Sequence, residues 1–184
     1  MRLFPRSLQP IHRFPFRIAL LLACMIGFAL PGSAQTGVYA MFSASDFQLP
    51  GVGRQYGPSF GLYHDMWNFP VIHTGFDLRA TLLGSGSTKA YMGLIGPHLQ
   101  VHPHVLPLMP YVEGLVGAGD VQVSGAGSVV SETAVAYEGV IGVDWTVLPR
   151  IDWRVIEFSA GGFSSLNASV APRTLSTGLV LRLP

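Results

Sequence analysis

Histidine, carboxylate and hydroxyl side chains are the residues of this sequence that could carry out hydrolytic chemistry. Such a site needs a hydroxyl nucleophile, an imidazole base beside it and a carboxylate that orients the imidazole. No motif fixes the spacing of these groups here, and serine is abundant throughout, so a lipid-hydrolysing or acyl-transferring enzyme is one hypothesis among several. The candidate bases and acids are His64, His73, His98, His102, His104, Glu113 and Glu138.

The segment HLQVHPH, residues 98–104, raises the question of a metal site. In an extended strand His98 and His102 share a face, but they lie about 13 Å apart, which is too far for one ion. His102 and His104 flank a proline in a turn and could chelate a metal weakly. A dedicated site needs three or four converging ligands. We therefore predict no metal site and no cofactor.

The segment RIDWRVIEF, residues 150–158, places four charged side chains among five apolar ones. In a strand, alternation puts Asp152 and Arg154 on one face and the apolar side chains on the other. Strict alternation would place Glu157 on the apolar face. We predict a β-bulge near Val155-Ile156 that returns Glu157 to the charged face.

The same period of two runs through most of the chain. It is cleanest in 72–82, 133–147 and 174–183, where one face is apolar and the other is small or charged. Glycine- and proline-rich breaks delimit the rest. Eight strands result, and the other five are predicted near 37–46, 56–66, 88–101, 110–119 and 150–160.

The first 34 residues have the pattern of a secretory signal peptide. Four arginines precede an apolar run from Ile18 to Leu30, and the small residues of Pro31-Gly32-Ser33-Ala34 follow. The run is shorter than the roughly 20 apolar residues that span a bilayer. We predict a cleaved signal peptide over 1–34, which would remove the single cysteine, Cys24, and one domain over 35–184.

Composition narrows the class of protein. Residues 35–184 contain seven Lys and Arg against ten Asp and Glu, a formal net charge of −3, so no basic surface for nucleic acid is expected. Only 11% of the chain is charged and 49% is apolar, about half the charge of a typical soluble domain. No second run of 18 apolar residues could form a membrane helix. This composition is typical of strands that turn one face to lipid.

Two strands carry a resemblance to a known family. PYVEGLVGAG, residues 110–119, resembles the central strand of the small eight-stranded outer-membrane β-barrel proteins of the OmpA/OmpX type, the outer membrane protein beta-barrel domain family. TLSTGLVLRL, residues 174–183, resembles the closing strand of that family. The resemblance implies an all-β, eight-stranded antiparallel up-and-down transmembrane barrel in the bacterial outer membrane. Its partners would be outer-membrane lipid and the barrel-assembly machinery.

Eight charged side chains fall on the predicted inner faces. An eight-stranded barrel has an interior that side chains can fill, and buried charges must be paired or hydrogen-bonded. We predict an ion-pair network in the lumen of a protein with a structural or surface-interaction role. A narrow pore, a lipid-modifying enzyme and a soluble periplasmic ligand-binding barrel are the alternatives. The predicted lumen residues are Asp77, Arg79, Glu113, Glu138, Asp144, Asp152, Arg154 and Arg182.

The connections between strands predict the orientation of the barrel. The first, third, fifth and seventh are mostly longer and richer in glycine and serine than the others, as extracellular loops are. We expect the loops at 47–55, 120–131 and 161–172 to face outside and to be available to an extracellular ligand. A soluble barrel would reverse the alternation and carry its charges on the outer face.

Overall fold

The computed structural model describes residues 35–48, 53–86, 88–103, 105–125, 128–164 and 169–183. The predicted signal peptide, 1–34, lies outside them. Within these ranges no helix is long and apolar enough to cross a membrane. The strands are β1 (Thr36–Asp46), β2 (Gln55–Asn68), β3 (Ile72–Ser85), β4 (Thr88–Val101), β5 (Leu108–Gly125), β6 (Ser128–Leu148), β7 (Ile151–Ser164), β8 (Ser169–Val170) and β9 (Arg173–Leu183).

Eight of these strands form a closed antiparallel barrel. Each of β1 to β7 pairs with the next, and β9 pairs with both β7 and β1 to close the ring. The two-residue β8 pairs only with β7. None of the eight strands of the ring is an edge strand, and the predicted eight-stranded up-and-down barrel is confirmed.

The predicted alternation is also confirmed. In β6, Ile141 is 58% exposed on the outer face and Asp144 is fully buried in the lumen. The pairing of β7 with β9 shifts register between Arg154 and Glu157, which is the predicted bulge. Because of this shift Glu157 is 1% exposed inside the barrel and Phe158 lies on the outer face.

Two of the predicted loops are wrong. The predicted loop 120–131 is mostly a hairpin, because β5 and β6 stay paired as far as Gly125 and Ser128. Likewise, β7 continues to Ser164, inside the predicted loop 161–172. Glycine and serine in these segments suggested loops. The strands nevertheless continue, because the antiparallel ladder pairs backbone N–H and C=O groups whatever the side chains are. The lengths of the connections do not alternate as predicted. Instead β5 and β6, with 18 and 21 residues, are longer than the other strands.

The two ends of the barrel are named by their connections. At the proximal end β2 is followed by β3, β4 by β5 and β6 by β7. At the distal end β1 is followed by β2, β3 by β4, β5 by β6 and β7 by β8 and β9. Toward the distal end the lumen is lined on one side by an apolar cluster, defined by Phe47, Leu83, Ala90, Met92, Leu94, Tyr111, Leu115, Ala136, Val140 and Phe163.

A hydroxyl ladder lines the other side of the distal lumen. Ser43 of β1 is 2.8 Å from the hydroxyls of both Ser59 and Ser176. Ser59 donates in turn to Thr81 of β3 at 3.1 Å, and Thr174 donates to Ser45 at 2.9 Å. These hydroxyls satisfy one another inside the barrel, so each buried polar group of the ladder has a partner.

Candidate functional site

Arg79 projects from β3 into the centre of the lumen, where three strands supply its partners. Its Nη2 donates to Glu113 at 2.7 Å and to Glu157 at 3.0 Å, and its Nη1 donates to the second oxygen of Glu157 at 2.9 Å. Its Nε donates to the hydroxyl of Tyr39 at 3.0 Å, and that hydroxyl donates to Asp77 at 2.8 Å. The guanidinium therefore joins β1, β3, β5 and β7 through charge-assisted bonds.

Arg154 of β7 is the second centre of the network, and its side chain is fully buried. It binds Asp144 through two parallel bonds of 2.9 and 3.1 Å, and it donates to Glu157 at 3.1 Å. Its guanidinium carbon lies 4.5 Å from the ring centroid of Tyr39 and 4.2 Å from that of Tyr111. Two cation–π contacts and a bidentate carboxylate hold the group in one orientation.

The tyrosines of the network are positioned by glycines. Tyr39 faces Gly61 directly across the ladder, and Tyr111 faces Gly142 in the same way. A Cβ on Gly61 or Gly142 would lie 2.3 Å from the hydroxyl oxygen of its tyrosine. Because there is no side chain at these two positions, each ring can lie across the neighbouring strand and reach the arginines. The hydroxyl of Tyr111 then donates to Glu157 at 2.6 Å.

His98 and Gln100 of β4 extend the network toward the proximal end. The Nδ1 of His98 is 3.0 Å from Glu113, and its ring stacks on Tyr63 with centroids 4.8 Å apart. Gln100 donates to Asp144 at 3.3 Å. On the distal side Ser159 donates to Glu138. Every strand of the ring from β1 to β7 thus contributes a side chain to the network.

The proximal rim of the lumen has two further pairs. The Nε of Arg182 lies 2.9 Å from Asp152. The Nδ1 of His73 lies 3.4 Å from the buried Asp65, and the ring of His73 stacks on that of His102 with centroids 3.9 Å apart. His102 follows the end of β4. Burial, and then the charges of His73, Arg182 and His98, lower the pKa of His102 to about 4.

The charges in the centre of the lumen are unequal. Five carboxylates surround two guanidinium groups, with His98 beside them. A buried carboxylate is tolerated only where donors compensate for its lost hydration. Of these five, Asp77 and Glu138 each keep one oxygen without a hydrogen-bond partner. The carboxylates are those of Asp77, Glu113, Glu138, Asp144 and Glu157.

All eight residues predicted to line the lumen have their side chains inside the barrel. Arg182 is 17% exposed at the rim, and the other seven are buried. Sequence reasoning missed Asp65, Tyr39, Tyr63 and Tyr111. All four alternate with residues that face outward, and this alternation is the sequence signal that could have found them. For the tyrosines the signal is ambiguous, because a tyrosine is common at lipid interfaces as well as in cores.

The candidate catalytic residues contact different partners in the lumen and at its rim. His64 contacts the hydroxyl of Thr36 at 2.8 Å, His98 contacts Glu113, and Glu138 contacts Ser159. In the described part of the chain no hydroxyl, imidazole and carboxylate are hydrogen-bonded in series. His104 lies outside those residues, which also contain no group of three or more side chains arranged to hold a metal ion.

Comparison with known proteins is consistent with the barrel. No protein-family model and no curated protein matches the sequence. Among solved structures the chain is similar to Neisserial surface protein A, NspA, at 17% identity and a TM-score of 0.58, over 82% of this chain and 97% of that one. It is also similar to Ail, the attachment invasion locus protein of Yersinia pestis, at 15% identity and a TM-score of 0.52 over 82% and 97%.

The outer membrane enzyme PagL has the same fold, with 14% identity and a TM-score of 0.50 over 79% of this chain and 98% of PagL. Since a surface protein, an attachment protein and an enzyme share this architecture, the fold alone does not choose between their activities. The chain has the fold of the small outer-membrane β-barrel proteins that its strands resemble.

Proposed function

We propose that this chain is an integral outer-membrane β-barrel protein whose lumen is closed by its own side chains and whose role is structural or surface-interacting. The observation that carries the proposal is the pair of buried arginines, Arg79 and Arg154, each bonded to two or more carboxylates at the centre of the barrel. The apolar cluster fills part of the lumen beyond them. A narrow pore would need a continuous polar path through both regions.

The outer face supports insertion in a membrane. Val116, Ile141 and Leu179 are more than half exposed there, and many other large apolar side chains accompany them. A soluble protein rarely exposes so large an apolar surface. The closed ladder pairs the backbone groups of the strands, as hydrocarbon requires. Outer-membrane lipid is therefore the proposed partner of this face.

The orientation follows from strand length. A transmembrane strand needs about 9 to 11 residues, and β5 and β6 have 18 and 21. Their hairpin at the distal end would extend beyond the bilayer, so we assign the distal end to the outside and the proximal end to the periplasm. A signal peptide over 1–34 and the barrel-assembly machinery would deliver and insert the chain.

The projecting hairpin is the proposed surface for an extracellular ligand. Ail, an attachment protein, has this fold and has been crystallised with the heparin analogue sucrose octasulfate. For the present chain this is an analogy of fold. A pull-down with the folded barrel in detergent, comparing the full chain with one whose hairpin is shortened between Val121 and Ser131, tests whether the hairpin binds a partner.

Membrane insertion is tested by electrophoretic mobility. The chain from Gln35, folded in detergent or lipid, should run faster in SDS before boiling than after boiling, because a closed barrel resists SDS. Mobility that does not change on boiling, from protein that is folded and soluble without detergent, would instead favour the soluble ligand-binding barrel.

Closure of the lumen is tested by conductance in planar lipid bilayers. The wild-type barrel should give no resolved single-channel steps. A double variant, Leu94→Ala with Phe163→Ala, removes two side chains of the apolar cluster and shows whether an opened lumen is detectable. Resolved steps from the wild-type barrel would support the narrow pore.

A further inference from the structure

A shallow apolar groove of about 300 Å³ crosses the outer face of the barrel near its proximal end. Its floor is bare at Gly114 of β5, where an added Cβ would meet no heavy atom within 4 Å. The lining residues His98 and Glu113 point into the lumen, so only their backbone faces the groove. The outward side chains that line it are Trp67, Thr74, Phe76, Pro97, Leu99 and Val112.

Two polar groups lie at the end of this groove formed by β2 and β3. Trp67 of β2 faces Thr74 of β3 across the ladder, and Trp67 is 58% exposed. Within the described residues neither its indole N–H nor the hydroxyl of Thr74 has a hydrogen-bond partner. The indole of Trp153, on the other side of the barrel, donates instead to Thr177 at 3.2 Å. The groove is thus apolar along its length with two available donors at one end.

We propose that the groove binds one acyl chain of a glycerophospholipid from the periplasmic leaflet, with an ester carbonyl accepting from Trp67 or Thr74. The inference rests on the proposed membrane location. It fits the depth of the site, because Trp67 lies beside the proximal connection at 69–71, where an ester region would lie. The groove crosses four strands, a width of roughly 14 Å at the usual strand spacing.

The shape of the groove favours a lipid chain over a second copy of the barrel. The outer wall of a barrel is convex and would make little contact with the floor of a groove, whereas a flexible acyl chain can lie along it. Leaving bulk lipid for the groove brings no hydrophobic gain, because both are apolar. What distinguishes the bound chain is close packing against Phe76, Leu99 and Val112, together with the hydrogen bond at its head.

Native mass spectrometry of the folded barrel in detergent tests this site, with dioleoylphosphatidylethanolamine as the probe. The wild-type barrel should retain one lipid molecule. Gly114→Phe fills the groove and should weaken that binding about tenfold. Gly93→Phe is the matched control, since Gly93 of β4 also faces outward with nothing within 4 Å of its Cβ position but does not line the groove. It should bind as the wild type does.

Trp67→Phe provides a second variant if Gly114→Phe does not fold. It keeps a ring in the wall and removes the donor, so binding should weaken about threefold, less than for a filled groove. Equal lipid retention by the wild type and both of these variants would overturn the inference, as would the absence of any adduct on the wild type. A barrel dimer that Gly114→Phe alone dissociates would identify a second copy as the occupant. A barrel that folds without detergent would overturn the proposed membrane location itself.

Discussion

The lumen contains two regions whose side chains are held together by different physical effects. In the ionic network around Arg79 and Arg154, carboxylates and guanidinium groups lose their hydration and depend on one another. In the apolar cluster, side chains such as Leu94 and Phe163 are excluded from water and need only fill the space. A partner lost from the network therefore leaves a buried charge without compensation, whereas a side chain lost from the cluster leaves a cavity.

The largest effect is expected for Arg154→Met. The change removes both guanidinium bonds to Asp144 and one of the donors to Glu157. It also removes the cation that contacts the rings of Tyr39 and Tyr111. Breaking one side of a buried pair costs about 3–5 kcal/mol of unfolding free energy. Urea unfolding of the barrel in lipid vesicles, followed by tryptophan emission, measures the loss.

Arg182→Met is the control for that prediction, because Arg182 pairs with Asp152 at the partly exposed rim. It should cost less than Arg154→Met, because Arg182 is 17% exposed and has a single carboxylate partner. Equal losses for both substitutions would mean that burial does not distinguish the central network from the rim.

Leu94→Ala tests the apolar cluster at a side chain that is 1% exposed. A buried leucine that leaves a cavity costs about 2–5 kcal/mol, and we expect the lower part of that range because only one region of the lumen is disturbed. The neighbouring Ile95, 52% exposed on the outer face, is the matched control. Ile95→Ala should cost less, since lipid chains refill the space. Urea unfolding compares the stability of the two variants. A larger loss of unfolding free energy for Ile95→Ala than for Leu94→Ala would contradict close packing of the apolar cluster.

Gly142→Ala should push Tyr111 out of the network. The new Cβ would lie 2.3 Å from the tyrosine hydroxyl, so the ring must leave both Glu157 and Arg154. Overpacking of this kind costs about 1–3 kcal/mol. Gly139→Ala, in the same strand but facing outward with only ordinary contacts, is the control and should be nearly neutral. Equal stability of the two variants would show that the ring can move without loss.

Alternation predicted the ring of strands and the eight inner charges, because a charge can lie only on the face away from lipid. It could not predict the tyrosine–glycine pairs, since Tyr39 meets Gly61 only once the register between β1 and β2 is known. The apolar cluster was missed for another reason. In β4 both faces are apolar, with Leu94 inside and Ile95 outside. Alternate residues of this strand therefore do not differ in polarity, and the pattern cannot show which face lines the lumen.

The smallest effect is expected at the proximal rim, where the ring of His102 stacks on that of His73. Its pKa of about 4 in the folded barrel lies below the ordinary value of 6.5. The unfolded chain therefore binds more protons between these values, and folding stability falls as the pH drops from about 6.5 toward 4.

His102→Phe keeps a ring that can stack on His73 but cannot take up a proton. The fall in unfolding free energy between pH 7 and 4.5 should be smaller in this variant by about 1 kcal/mol, a value reduced because the ring is only partly buried. Carboxylates that titrate in the same range affect both proteins, so the difference between them isolates His102. Identical pH dependence in wild type and variant would mean that His102 is as easily protonated in the folded barrel as in the unfolded chain. Burial would then affect protonation in the ionic network but not at the proximal rim.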